Sequence, residues 1–196
     1  VDCLKYDAVA CPYCGYAALD RFFKFMMPAQ ARLIREHISA NFKGLPATDS
    51  IYTYDDALER HQLALLNTVI KKAKESERAY TCLKMAWICR GKAESLSEEL
   101  PNYKAQLKEL KGQEKELLEN AYTGFETAFS KESFPMCGMD EITVSYLLAE
   151  LARRIGKFEE SSRWISRVLI SRDANDRIKN RAREIKELLN KDMHKA

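Results

Sequence analysis

Cys11-Pro12-Tyr13-Cys14-Gly15 is the stretch whose residue types and spacing are most suited to chemistry. Two thiolates three residues apart can grip one edge of a zinc ion. A glycine directly after the second cysteine supplies the tight turn that such a metal knuckle needs. A structural zinc site takes four ligands, and this pair supplies two. Cys3 is a candidate third; Cys137 folded nearby, or a cysteine upstream of Val1, would be the fourth. The less favoured alternative is an empty remnant of such a site.

A different chemistry uses the same letters. Cys-Pro-Tyr-Cys resembles the active site of glutaredoxins, in which a thiolate sits at a helix N-terminus within a βαβ framework. The downstream sequence offers no strands for that framework. Elsewhere His37 and His61 fall in helical stretches and His194 in the C-terminal tail, none with a partner at ligand spacing. No Ser or Cys nucleophile has a local base, and no glycine-rich phosphate loop or paired carboxylate motif is present. Tyr122, Phe125, Phe129, Phe158 and Trp164 recur at helical spacing and read as core.

The chain has 196 residues, 46% hydrophobic and 31% charged, a balance that supports a packed core with a solvated surface. No apolar run reaches the roughly 18 residues that a membrane span needs, so no membrane association is expected. The start, Val1-Asp2-Cys3-Leu4, carries neither an initiator Met nor a signal-peptide core, as expected of a sequence that begins inside a longer chain. Six cysteines without the spacing of a disulfide scaffold suggest a reducing, cytoplasmic setting, with Cys82 and Cys89 as small buried hydrophobes. Charge is uneven. Residues 151–196 hold 13 Lys/Arg against 7 Asp/Glu, whereas the rest holds 19 against 22. A basic C-terminal helix pair could attract an acidic partner or a nucleic acid, although a merely solvated face has the same composition.

What must position the cysteines is helical almost throughout. Only 7 Gly and 5 Pro interrupt a period of 3.6. A partial knuckle over residues 1–19, with a short strand near Tyr6–Ala10, is expected to precede a helical domain over 20–196. Pro28 suits a first helical position, with the helix running to about Phe42 before Gly44. A loop holding Pro46, Asp49 and Ser50 ends at Thr53, which pairs with Asp56 to cap the next helix. Leu58, Leu65, Val69 and Ala73 should form that helix's buried face, with His61 or Gln62 at the intervening turn. Further helices are expected over 77–91 and 103–129, then from Asp140 to Gly156, from Phe158 to Ile170, and from a cap at Asp173.

Helices this short, joined by tight turns, must lie antiparallel to their neighbours. The best unit is 144–173, with Leu148, Ala149, Ala152, Gly156, Phe158, Ser161, Ile165 and Val168 alternating small and large. This resembles the tetratricopeptide pattern, with Ser161 where Ala is usual and Asp173 where Pro is usual. A stripe no single helix can cover implies an all-α, tetratricopeptide-like array of antiparallel helix pairs, preceded by the short irregular Cys-x-x-Cys segment.

Nearly the whole chain is similar to a bacterial family catalogued as domain of unknown function 2225. The likeness rests on Ala10-Cys11-Pro12-Tyr13-Cys14-Gly15-Tyr16, Leu63-Ala64-Leu65-Leu66, Leu83-Lys84-Met85-Ala86-Trp87, Phe134-Pro135 with Gly138-Met139-Asp140-Glu141, Glu150-Leu151-Ala152-Arg153-Arg154-Ile155-Gly156-Lys157-Phe158, and Trp164-Ile165-Ser166-Arg167-Val168. It implies a second Cys-x-x-Cys upstream and a zinc-ribbon-like N-terminus that includes Cys11, Cys14 and, by proximity, Cys3. The family has no assigned activity. The expected role is therefore a protein- or peptide-binding helical scaffold with a structural, zinc-type cysteine site. The alternatives are a thiol-redox enzyme using Cys11 and Cys14, or a nucleic-acid adaptor acting through the knuckle and the basic helices.

Overall fold

The computed structural model describes residues 2–46, 48 and 51–194; Asp49 and Ser50 of the expected loop lie outside the described residues. The described chain is all-α apart from one two-stranded hairpin. It divides into two compact units, Val1–Leu117 and Leu118–Ala196, with the boundary inside a long helix. No described helix is long and apolar enough to cross a membrane.

In the first unit a single 3₁₀ turn, Cys3–Tyr6, leads into β1 (Ala8–Ala10) and β2 (Ala17–Leu19), with α1 (Asp20–Phe23) following at once. The strands are antiparallel, with Ala8 opposite Leu19 and Ala10 opposite Ala17. β1 falls where the sequence suggests a strand. β2 gives no such signal because both its faces are covered, and period-2 alternation shows only when one face is wet. Ala17 and Leu19 pack with Ala8 against Ala64, while Tyr16 and Ala18 pack against Ile34 and Ile38. Alanines in both strands let the helices on either side come close.

Those helices are α2 (Pro28–His37) and α3 (Tyr54–Ile70). Pro28 opens α2 as expected, but the helix stops at His37 and gives way to a 3₁₀ turn, Ser39–Asn41. The expected extension to Phe42 fails because Ser39 and Phe42 are drawn under the cysteine turn. The Thr53–Asp56 cap of α3 is present in reciprocal form: Asp56 N–H donates to Thr53 Oγ1 at 3.1 Å and Thr53 N–H to Asp56 Oδ2 at 2.8 Å. The buried face of α3 differs from the expected one. Val69 is 53% exposed, whereas His61 and Asn67 are fully buried and Thr68 nearly so. Asn67 turns inward to donate to Gly15 O of the hairpin, while His61 and Thr68 bond to Ala57 O and Leu65 O within α3 itself. α4 (Glu75–Glu94) packs on α3, burying Cys82, Leu83, Ala86 and Ile88. α5 (Tyr103–Lys131) follows.

In the second unit Ala121, Tyr122, Phe125 and Ala128 of α5 are fully buried. Asp140 caps α6 (Glu141–Arg154) by accepting from Thr143 N–H at 2.7 Å, as expected. The turn into α7 (Phe158–Ile170) is a Schellman motif: Gly156 sits at φ +81°, Lys157 N–H donates to Ala152 O at 2.8 Å, and Gly156 N–H to Arg153 O at 3.1 Å. α8 (Asp176–Met193) is capped by Asn175, not by Asp173. Asn175 Oδ1 accepts from Ile178 N–H at 3.0 Å. Ala174, packed with Val168 and Ala182, carries Asp173 past the cap position. α6, α7 and α8 pack on one another around Val144, Leu148, Ala149, Ile165 and Ile185.

Candidate functional site

The turn between β1 and β2 holds both cysteines. Cys11 N–H donates to Tyr16 O at 2.8 Å, closing the hairpin, and Gly15 N–H donates back to Cys11 O at 3.1 Å. Pro12 and Tyr13 form the exposed tip, with Tyr13 92% exposed. The sulfur of Cys11 accepts from the N–H groups of Tyr13 and Cys14 and from the Cys14 thiol, and these bonds hold the Cys11 thiol below its ordinary value. Donors aimed at one sulfur favour its thiolate, the form that binds metal and attacks disulfides.

The turn is held from beneath by polar side chains. Ser39 Oγ donates to Cys14 O at 2.8 Å. Asn67 Nδ2 donates to Gly15 O at 3.0 Å and to Leu63 O at 2.9 Å, tying the knuckle to α3. Gly15 lies at φ +71°, and a Cβ there would stand 2.6 Å from Phe42 Cδ2. Glycine is therefore required twice over, for the backbone conformation and for the ring beneath. Tyr16, the next residue, donates its hydroxyl to Phe23 O at 3.1 Å; burial first, and the Glu77 carboxylate second, push its phenol up to about 12. Lys71 lies wholly buried below, its ammonium 2.7 Å from Glu77 and over the Tyr16 ring.

Cys3 sits exposed in the first 3₁₀ turn. Among the described residues, no three His, Cys, Asp or Glu side chains come together in a group that could hold a metal ion. The structure thus brings Cys11 and Cys14 together and does not add Cys3 to them. Cys137 belongs to the second unit, buried in the turn where Met136 and Met139 pair. Cys82 and Cys89 are buried in α4, as expected, and burial pushes both thiols up to about 11.

A family model described as "Uncharacterized protein conserved in bacteria (DUF2225)" matches residues 1–189. The chain belongs to this family. No curated protein and no solved structure matches it.

The zinc-type site expected of this DUF2225 chain meets only part of a donor set in its cysteine turn. Two thiols at the turn, N–H groups aimed at one of them, and glycine at the left-handed position fit one half of a tetrahedral thiolate site. The described residues do not complete it. Sequence reasoning found the two cysteines and the glycine but missed Ser39, Phe42 and Asn67, which hold them. The available signal was Asn67, a polar residue one turn from Ala64 on the inner face of α3.

Proposed function

We propose that this chain is a protein- or peptide-binding helical scaffold of tetratricopeptide-like construction, working in the bacterial cytoplasm, whose cysteine hairpin is a structural, zinc-type element. The observation that carries the scaffold reading is the α6–α7 pair. Ala149, Ala152 and Ser161 are fully buried, and Ser161 Oγ donates to Ala149 O at 2.8 Å, a close approach that only small residues permit. Pairs of this kind leave the outer faces of their helices available to a partner. For the hairpin, the supporting feature is that its turn is tied to the α-helical framework by Asn67 and Ser39, as a structural element requires.

The test places a photo-crosslinking residue at Ser166 on α7, and in a second variant at Gln62 on α3, in the native bacterial host. The scaffold reading expects a discrete adduct of defined mass from at least one position. A smear equal to that of an unrelated soluble protein at both positions removes it. For the hairpin, zinc retained by the native protein should fall in Cys11→Ser; unchanged zinc overturns the structural-metal part alone.

The lowered Cys11 thiol favours one second reading, a dithiol redox centre. Against it, the pair occupies a hairpin turn, not a helix N-terminus. Alkylation followed against pH separates the two. A redox centre expects Cys11 to titrate well below Cys14 and to reduce a mixed disulfide; two ordinary profiles dispose of the redox role.

A further inference from the structure

Resting on the scaffold reading, we propose that the groove between α7 and α8 takes an acidic amphipathic helix with apolar side chains at its two ends. The groove has a volume of about 870 Å³ and lies wholly within the second unit. Its α7 wall is cut low by Ser162 and Ser166, one turn apart on the exposed side of the helix. Its ends are apolar: Ile170 at one, 81% exposed, and Met193 beside Phe158 at the other, 54% exposed. Buried Leu189 forms part of the floor.

Phe158 and Ile170 are twelve residue steps apart along α7, about 18 Å at 1.5 Å per residue. A partner helix of three turns spans that distance, with an apolar residue for each end. Between the ends the walls carry Arg163, Arg167 and Lys186 against a single carboxylate, Glu159. Lys186 makes no ion pair among the described residues. Arg163 meets Glu160 only at 3.4 Å, with 73% of its side chain exposed, and Arg167 meets Glu141 at 2.5 Å, both groups half exposed. Exposed pairs of this type contribute little, so carboxylates of an incoming helix can compete for both arginines.

The same charges would suit a phosphate backbone, but the walls favour a peptide. Nucleic-acid grooves offer exposed aromatic faces on which bases stack. Here the one aromatic, Phe158, is half buried, and the exposed ends are aliphatic and thioether side chains suited to a helix's apolar residues.

The test uses the full chain and a fluorescein-labelled peptide of about 16 residues, with Leu at both ends of one helical face and Glu on the two turns between (i, i+4, i+7, i+11). Binding is followed by anisotropy. A twin peptide with Lys for each Glu and a short single-stranded oligonucleotide serve as comparisons. The proposal expects the Glu peptide to bind and the Lys peptide to fail. Arg163→Glu with Lys186→Glu should weaken the Glu peptide by about tenfold or more and bring the Lys peptide into binding. Ile170→Ser should weaken the Glu peptide several-fold. The idea is overturned if the two peptides bind equally or not at all, if the charge reversal does not exchange their order, or if the oligonucleotide binds here and the peptide does not displace it. It is also overturned if the protein self-associates through this face. A discrete crosslinked partner at Gln62 with no peptide bound in the groove would sink this inference and leave the scaffold reading standing.

Discussion

The cysteine turn of the first unit and the α6–α7 turn of the second both depend on a glycine in the left-handed region, at φ +71° for Gly15 and +81° for Gly156. Their surroundings differ. A Cβ on Gly15 would drive into Phe42 at 2.6 Å and 2.7 Å and into Ile38 at 3.0 Å, whereas a Cβ on Gly156 meets nothing within 4 Å. The helix turn only reverses the chain. The cysteine turn is packed from below and hydrogen-bonded to two separate elements, so its shape is set by the protein around it.

The sharpest way to break this comparison is to add the same methyl group at both turns. Gly156→Ala should lose only the backbone term, about 1 kcal/mol. Gly15→Ala adds overpacking against Phe42 and should lose about 3 kcal/mol. Trp87 lies in the first unit and Trp164 in the second, so Trp164→Phe and Trp87→Phe backgrounds report each unit by fluorescence during urea unfolding. Equal losses for the two alanines would mean that the hairpin relaxes freely and is not held from beneath.

A smaller effect tests the polar anchors. Asn67→Ala removes the donor to Gly15 O inside a site without water access, and a buried carbonyl left unpaired costs about 2 kcal/mol. The loss should appear in the Trp87 signal. It should also disturb the turn itself, seen as a change in the alkylation rate of Cys11 but not of Cys82, which is far too buried to respond. An unchanged Cys11 rate would show that Asn67 stabilises the fold without positioning the cysteines.

The contrast also explains what could be read in advance. The second unit follows a single rule: small and large apolar residues alternate at helical spacing, so α6, α7 and their turn were legible residue by residue. Even there the cap of α8 was misplaced, because burial of Ala174 is a tertiary event with no local mark. In the first unit the cysteines and Gly15 were legible because knuckle chemistry is local. Their supports were not. Asn67 and Ser39 are 52 and 25 residues distant in sequence from the carbonyls they serve, and both interrupt the apolar pattern that helix reading relies on. The Gly15 carbonyl explains why α3 turns Asn67 inward where Leu65 and Val69 were expected; His61 and Thr68 beside it bond to Ala57 O and Leu65 O of their own helix.

His61 gives the comparison a pH axis. Burial first pulls its imidazole below the ordinary value of 6.5, with its Nδ1 hydrogen-bonded to Ala57 O at 2.8 Å and Asp7 and Lys84 nearby. The unfolded chain therefore takes up a proton near pH 6.5 that the folded chain resists. The stability contribution of neutral His61 is complete above that pH. It declines as pH falls below it, by at most about 1.4 kcal/mol per pH unit, until the folded imidazole itself protonates. Urea midpoints from pH 7.5 down to about pH 5 should fall less steeply in His61→Gln than in the native protein. Parallel slopes would show that other groups carry the acid sensitivity.

The smallest expected effect lies in the second unit. Ser161 stands where the tetratricopeptide pattern usually has alanine, and its hydroxyl donates to a carbonyl of α6 at 2.8 Å in a fully buried seam. Superficially this matches Asn67 on Gly15. The acceptor differs: Ala149 O lies inside α6, where the helix ladder already supplies a backbone N–H, whereas Gly15 O lies in a turn. Ser161→Ala removes the donor while Ala149 O keeps its place in the α6 ladder, so no group is orphaned, and it puts in the residue with the higher helix propensity. Its effect on the Trp164-reported midpoint should stay within about 0.5 kcal/mol. A loss as large as that of Asn67→Ala would mean that the helix pair, like the hairpin, is specified by buried polar contacts, and the distinction between the two units would collapse.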